Sequence, residues 1–345
     1  MRTKILQEKI NKLDKQDMLG KLKGFPAQCR EGYALPCPAI PERKFSKIIF
    51  CGMGGSAIGG DIIGAVAHGH SGIPCSVNRD YVLPSYADKD TLVAAISYSG
   101  NTEETLSSLK LARERGCGLV CISSNGKIEE AARTGSVPFV KIPAGYPPRC
   151  AMGYLFFPCY RIMSGLGVVP EIENSFFAKV ERWAENLFPG RSGNPAIDIA
   201  EKLHDRVALI YSSNSLLPAT TRWKTQIAEN SKAFAFINVL PEMNHNEIMS
   251  WRYPEWFIRK CVPVLVTTGS EHPRIQLRFD VIREIVMKVK QDILEIQTEG
   301  DTLLEEIFYL IILGDWVSYY LALLNDSNPT EINEIDLLKK RLGGK

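Results

Sequence analysis

Two segments in the first third of the chain restrict its fold more than anything else in it. They are Cys51-Gly52-Met53-Gly54-Gly55-Ser56-Ala57-Ile58-Gly59-Gly60 and Ser97-Tyr98-Ser99-Gly100-Asn101-Thr102-Glu103-Glu104-Thr105. Each follows a short apolar, β-branched run: Lys47-Ile48-Ile49-Phe50 in one case, Leu92-Val93-Ala94-Ala95-Ile96 in the other. Each leads into sequence with helical character. A strand that ends in a Gly- and hydroxyl-rich turn and then opens a helix makes an anion site. The glycines let backbone N–H groups approach a ligand, the hydroxyls donate hydrogen bonds, and the helix N-terminus adds positive potential. Two such turns point to one phosphate held from two sides.

A dinucleotide and a sugar phosphate both remain open as owners of that phosphate. Gly52-x-Gly54-x-x-Ala57 satisfies the loose dinucleotide fingerprint. That fingerprint also wants an acidic residue at the end of the second strand, about 20 positions on. Here the nearest acid is Asp80, beside Arg79 and late. A dinucleotide site also has no use for Ser97-x-Ser99-x-x-Thr102. Three hydroxyls on one turn suit the oxygens of a terminal phosphate, so the sugar-phosphate reading is the better one.

Strand and helix patterns alternate from residue 45 onward, which predicts an α/β fold with parallel sheets covered by helices. Strands are expected at 47–51, 75–78, 92–97, 118–122 and 139–142, and helices at 56–67, 102–115 and 128–133. A helix over 175–188 links this half to a second alternating set. There the strands are expected at 207–212, 262–267 and 293–296, and the helices at 219–229, 274–291 and 303–324. The run Val207-Ala208-Leu209-Ile210-Tyr211-Ser212-Ser213-Asn214-Ser215 repeats the strand-then-hydroxyl logic without the glycines, so the second half reads as a copy that has lost its anion loop.

At 345 residues the chain has room for two such halves. Its 45% hydrophobic content and net charge of +2 fit a soluble globular protein, with no basic mass to bring in nucleic acid or an acidic membrane surface. The nine cysteines show no paired CxxC pattern and read as reduced thiols of a cytoplasmic protein. No metal-ligand spacing is present, so neither a metal nor another cofactor is expected. Residues 1–15 are charged and lack the apolar core of a signal peptide. Residues 307–324 are apolar enough to suggest a membrane span, but Asp315 interrupts them, and a central Asp costs about 2.5–3.5 kcal/mol on insertion scales. A buried helix is the better reading.

The turn at 97–104 resembles the signature of sugar isomerase (SIS) domains. Gly52-Met53-Gly54-Gly55-Ser56-Ala57 resembles one branch of that superfamily, the bifunctional phosphoglucose/phosphomannose isomerases. The resemblance continues through Arg149-Cys150-Ala151-Met152-Gly153-Tyr154-Leu155-Phe156, Ala228-Glu229-Asn230-Ser231-Lys232, Pro241-Glu242-Met243-Asn244-His245-Asn246-Glu247 and Ile335-Asp336-Leu337-Leu338-Lys339, and so covers nearly the whole chain. It implies two SIS domains, 25–165 binding phosphate and 196–327, with a tail at 328–345 that completes the site. It also implies a cofactor-free aldose–ketose isomerase of glycolysis and gluconeogenesis. Glucose 6-phosphate and mannose 6-phosphate would exchange with fructose 6-phosphate through an enediol.

Such a reaction must open the sugar ring, move a proton between C1 and C2, and stabilise the enediolate. Gly54, Gly55, Ser56, Ser97, Ser99 and Thr102 are the candidate phosphate ligands. Glu229 is the candidate base, near the end of a helix. From its own segment a solvated surface position is the better reading, and the resemblance reverses that in favour of the base. His245 lies among Asn244, Asn246 and Glu247 as potential orienters and is the candidate for ring opening. The resemblance implies that it enters the neighbouring subunit's site, making the protein a homodimer. Arg149 is the candidate to stabilise the enediolate. The resemblance assigns Lys339 to ring opening and Thr330 to tolerance of both epimers. Two readings stay open beside this one: a non-catalytic SIS regulator that binds a sugar phosphate, and an isomerase of another sugar phosphate. Residues 1–44 hold no basic patch or helix-turn-helix, which counts against the regulator.

Overall fold

The computed structural model describes residues 3–40, 43–289 and 292–343. Helices α1 (Thr3–Leu13), α2 (Met18–Lys23) and α3 (Phe25–Ala34) come first. Strand β1 (Lys47–Cys51), α4 (Gly55–His68), β2 (Cys75–Asn78), β3 (Thr91–Ile96) and α5 (Glu103–Glu114) follow, and then β4 (Gly118–Ser123), α6 (Gly126–Gly135), β5 (Phe139–Lys141) and α7 (Met152–Gly165). Helices α8 (Asn174–Asn186) and α9 (Pro195–Leu203) lead to β6 (Val207–Ser213), α10 (Leu217–Ser231), β7 (Ala235–Leu240) and α11 (Glu255–Lys260). The remainder is β8 (Cys261–Thr267), α12 (Pro273–Met287), β9 (Leu294–Gln297), α13 (Leu303–Leu324) and α14 (Asn333–Gly343).

The chain forms two compact units. The five-stranded unit comprises 24–182 with 302–307. Its strands are all parallel, in the order β2-β1-β3-β4-β5. Every residue of β3 is buried, as a parallel strand covered on both faces requires. One face of the sheet carries Ile49, Val93, Leu83 and Ala112 into a core, and further along the same face of β3 and β4 Ala95 and Cys121 pack against Leu109 and Ile128 of α5 and α6. Burying an Ile or Leu side chain completely is worth roughly 1.5–3 kcal/mol. Helices α3 and α7 meet at glycines: a Cβ on Gly32 would come within 2.5 Å of the Gly153 carbonyl.

The four-stranded unit comprises 1–23, 183–301 and 308–345. Its strands are parallel too, in the order β7-β6-β8-β9. Tyr211, Leu265, Phe279, Ile282 and Val286 form its core. The α/β fold of two parallel sheets flanked by helices is therefore the one the alternation predicts.

Several elements differ from the reading of the sequence. Strand β7 has no counterpart in that reading. It is an edge strand whose Phe236 faces out at 47% exposure and whose run is broken by Asn238, so it shows neither strand alternation nor a continuous apolar stretch. The helix expected over 274–291 ends at Met287, and positions 290 and 291 lie outside the described residues. Helix α13 is long and apolar enough to cross a membrane by length and composition, but most of it is buried within the fold. Its Asp315 has a buried partner, Arg222 of α10.

Candidate active site

In the five-stranded unit the chain leaves β1 toward β2 on one side, while β3 pairs with β1 on the other. A sheet of this order has its switch point between β1 and β3, and ligands bind at the carboxyl ends of the strands there. The two Gly- and hydroxyl-rich turns follow these two strands. Cys51 is in register with Ala95, so Gly52 and Ser97 begin neighbouring loops. A Cβ on Gly52 would sit 2.9 Å from the Ile96 carbonyl, so only glycine lets the loops lie this close.

The first loop is open. Gly54 has φ +50° and caps α4, and a Cβ placed on it would meet nothing within 4 Å. Ser56 is buried in the first turn of α4, its N–H donating to the Met53 carbonyl at 3.0 Å. The second turn is braced. Gly100 has φ +67°, and its N–H donates to Ser97 Oγ at 3.1 Å. Ser97 Oγ also lies 2.8 Å from Thr102 Oγ1. Behind the turn, the N–H of Ile128 donates to the Gly100 carbonyl at 3.0 Å and that of Lys127 to Asn101 Oδ1 at 3.1 Å. Ser99 is exposed, Thr102 half-buried and Ser97 1% exposed. Ser97 thus holds the turn's shape, and Ser99 is the hydroxyl it offers outward. Thr102 caps α5, whose first N–H groups have no carbonyl inside the helix to bond.

Arg149 lies in a 3-10 turn, Pro148–Cys150, and is 3% exposed. Its Cα would be 3.6 Å from a Cβ on Gly55, so the structure brings Arg149 against the first loop. Two side chains that the sequence did not single out hold this stretch. Tyr98 Oη accepts from the Tyr146 N–H at 2.8 Å and donates to the Pro143 carbonyl at 3.2 Å. Gln28 of α3 donates to the Cys150 carbonyl at 2.9 Å and accepts from the Gly153 N–H at 2.7 Å. Both bond backbone far away in sequence, which leaves no local signature.

In the four-stranded unit, Glu229 stands half-buried in the last turn of α10, as the helical run predicts. Arg222 and Gln226 of α10 bond Asp315 of α13: Arg222 Nε to Oδ1 at 3.0 Å, Nη2 to Oδ2 at 2.7 Å, and Gln226 Nε2 to Oδ1 at 3.0 Å. One turn further, Asn230 donates to Ser318 Oγ at 2.9 Å, and Ser231 Oγ to the Ser318 carbonyl at 2.7 Å. Burial pushes the Asp315 carboxyl up, against the pull of Arg222. Lys232, at φ +53°, ends the helix and turns its ammonium onto the carbonyls of Glu229 (3.0 Å), Asn230 (3.2 Å) and Asn328 (2.6 Å). A cation on the last carbonyls complements the helix dipole. It also ties the turn bearing Glu229 to the loop bearing Thr330, whose N–H donates to Asn328 Oδ1 at 2.9 Å.

His245 closes a 3-10 turn, Glu242–His245, and is exposed. The expectation that its neighbours orient it needs correction. Glu247 accepts from Tyr211 Oη at 2.7 Å and from Asn238, Asn246 donates to Glu242 at 2.8 Å, and Asn244 accepts from Arg278 at 3.4 Å. These residues join the turn to its own unit, because side chains adjacent in a tight turn diverge. Among the described residues, no hydrogen bond or ion pair joins His245 to Glu229. Lys339 is exposed on α14, 3.9 Å from Asp336 Oδ1. After β6, Ser213 Oγ and Ser215 Oγ lie 2.9 Å apart, the second half's hydroxyls meeting each other. Among the described residues no group of three or more His, Cys, Asp or Glu side chains is arranged to hold a metal ion.

Residues 43–134 match the model of the SIS domain, and residues 192–342 that of the bacterial phospho-glucose isomerase C-terminal SIS domain. The chain is 34% identical over 336 residues to the bifunctional phosphoglucose/phosphomannose isomerase of Caldicellulosiruptor bescii, a match covering 94% of this chain and 98% of that protein. It is 36% identical over 300 residues to the protein of the same description from Aquifex aeolicus, covering 86% of this chain and 91% of that one. Among solved structures, a hypothetical protein from Thermus thermophilus superimposes with a TM-score of 0.73 at 16% identity, over 98% of this chain and 94% of that one. At that identity the likeness is one of fold.

Proposed function

This chain belongs to the bifunctional phosphoglucose/phosphomannose isomerase family, and we propose on that footing that it interconverts glucose 6-phosphate and mannose 6-phosphate with fructose 6-phosphate. The observation that carries the reading on this chain's own residues is the pair of adjoining turns at the carboxyl ends of β1 and β3. Gly54, Gly55, Ser56, Ser99 and Thr102 bind the substrate phosphate there, and Ser97 keeps Thr102 in place. Each hydrogen bond to the charged group contributes about 1.5–3 kcal/mol.

Arg149 stabilises the enediolate. A fixed guanidinium of this kind acts most strongly where water is excluded, and its burial favours that role. Glu229 carries the proton between C1 and C2, on a helix end that Lys232 and the Asn230–Ser318 bond hold still. His245 opens the ring in the site of a second copy. Its exposure and its lack of a partner among the described residues favour that assignment. Lys339 assists ring opening, and Thr330 leaves room beside C2 for either epimer. We assign 25–165 and 196–327 to the two SIS domains and 328–345 to the tail that completes the site. The protein works as a cytoplasmic homodimer in glycolysis and gluconeogenesis.

The test is a coupled assay with fructose 6-phosphate, mannose 6-phosphate and arabinose 5-phosphate, run with excess EDTA and no nicotinamide. Turnover of the two hexose phosphates alone supports the reading. Turnover of the pentose phosphate alone makes the protein an isomerase of another sugar phosphate. Binding of all three without turnover makes it a sensor.

A further inference from the structure

Arg149 sits in a single 3-10 turn, Pro148–Cys150, in the connection between β5 and α7. So short a turn has few backbone bonds to hold it, yet Arg149 is 3% exposed and lies against Gly55. Two buried side chains brace it from opposite sides. Tyr98, 7% exposed, reaches out of the serine turn and bonds both the Tyr146 N–H and the Pro143 carbonyl, ahead of Arg149. Gln28, 2% exposed, reaches from α3 and bonds the Cys150 carbonyl and the Gly153 N–H, behind it. The ends of this brace are fixed in turn. The Tyr98 carbonyl accepts from Ser124 Oγ at 2.6 Å and from the Ser124 N–H at 3.2 Å, beyond β4. Gln28 fills the space above Gly153, where a Cβ would come within 2.8 Å of it. Burial pushes the Tyr98 hydroxyl up, so it keeps the proton it donates to Pro143.

We propose that Tyr98 and Gln28 are positioning residues that set the Arg149 guanidinium against the phosphate loops. Tyr98 stands between Ser97 and Ser99, so the turn that would receive the phosphate and the loop that bears Arg149 move as one piece. Phosphate capture then helps to orient the charge that stabilises the intermediate. The proposal rests on the reading of Arg149 given above.

The experiment is Tyr98→Phe, which keeps the ring and removes the hydroxyl, measured with fructose 6-phosphate. The expected result is a fall in kcat of about 10- to 100-fold. The dissociation constant for inorganic phosphate stays within about twofold, which also shows that the site is folded. In an Arg149→Lys background the same substitution costs little more, because a brace has nothing left to position. A Tyr98→Phe kcat within about twofold of wild type overturns the proposal. So does a loss that multiplies fully with Arg149→Lys, or one that falls on phosphate affinity and spares kcat. Gln28→Met is read by the same three measurements and decides the matter if Tyr98→Phe does not fold. An inactive wild-type protein, or an Arg149→Lys variant with normal kcat, defeats the functional reading instead.

Discussion

The hydroxyls of Ser97 and Thr102 lie 2.8 Å apart, which closes the turn after β3 on itself and leaves Ser99 as its exposed hydroxyl. If the turn holds the substrate phosphate as proposed, replacing Ser99 and Thr102 together with Ala removes two donors to a charged group, at about 1.5–3 kcal/mol each. The KM for fructose 6-phosphate should rise at least tenfold while the circular dichroism spectrum is unchanged. An unaltered KM would place the phosphate elsewhere.

The two glycines with positive φ in these loops should differ in their response to a side chain. Gly54→Ala meets open space and bears only the cost of a side chain at positive φ, about 1–3 kcal/mol. Gly100→Ala also sits at positive φ and in addition drives its Cβ to 1.7 Å from the Asn125 carbonyl. Urea unfolding should show Gly100→Ala losing clearly more stability. Equal losses would mean that the turn does not pack on Asn125 in solution.

Helix α10 leans on a buried ion pair. Asp315→Ala removes the carboxylate that the Arg222 guanidinium meets at 3% side-chain exposure and should destabilise the protein by about 3–5 kcal/mol. Removing both charges, as Arg222→Met with Asp315→Leu, should restore at least half of that loss, because the pair is replaced by apolar groups. A double variant as unstable as Asp315→Ala would show that Asp315 matters by another route.

The cysteines make a chemical test of burial. Burial pushes the Cys51 and Cys121 thiols up to about 12, and six of the nine cysteines are buried. At pH 8 the native protein should react with a disulfide reagent at no more than the half-buried Cys37, Cys75 and Cys150, and the denatured protein at all nine. Rapid labelling of Cys51 in the native state would contradict the packing around β1.

Much of this architecture is legible in the sequence because its signals are local. Turns that bring two loops into close approach need Gly and Ser in the turns themselves, so the segments at 52–56 and 97–102 announce themselves. Strands buried on both faces, such as β1 and β3, read as unbroken apolar runs. What stays hidden is non-local. Edge strand β7 exposes Phe236 and has no period to read. Tyr98 and Gln28 act on carbonyls and N–H groups 45 to 125 positions away, where no spacing rule reaches. His245 misleads in the opposite way: its sequence neighbours look like orienters, yet the turn sends them to Tyr211, Arg278 and Glu242.

The central claim is an enediol isomerase that serves both epimers, and its most direct test uses deuterated water. An enediol has lost the configuration at C2, so the face on which the proton returns decides between glucose and mannose products. Fructose 6-phosphate is supplied in deuterated water and the products are followed by NMR. The account predicts C2-deuterated glucose 6-phosphate and C2-deuterated mannose 6-phosphate, formed at rates within about tenfold, a barrier difference of about 1.4 kcal/mol. With Glu229→Gln neither should form. Glucose 6-phosphate as the sole product, or undiminished turnover in Glu229→Gln, would contradict the account.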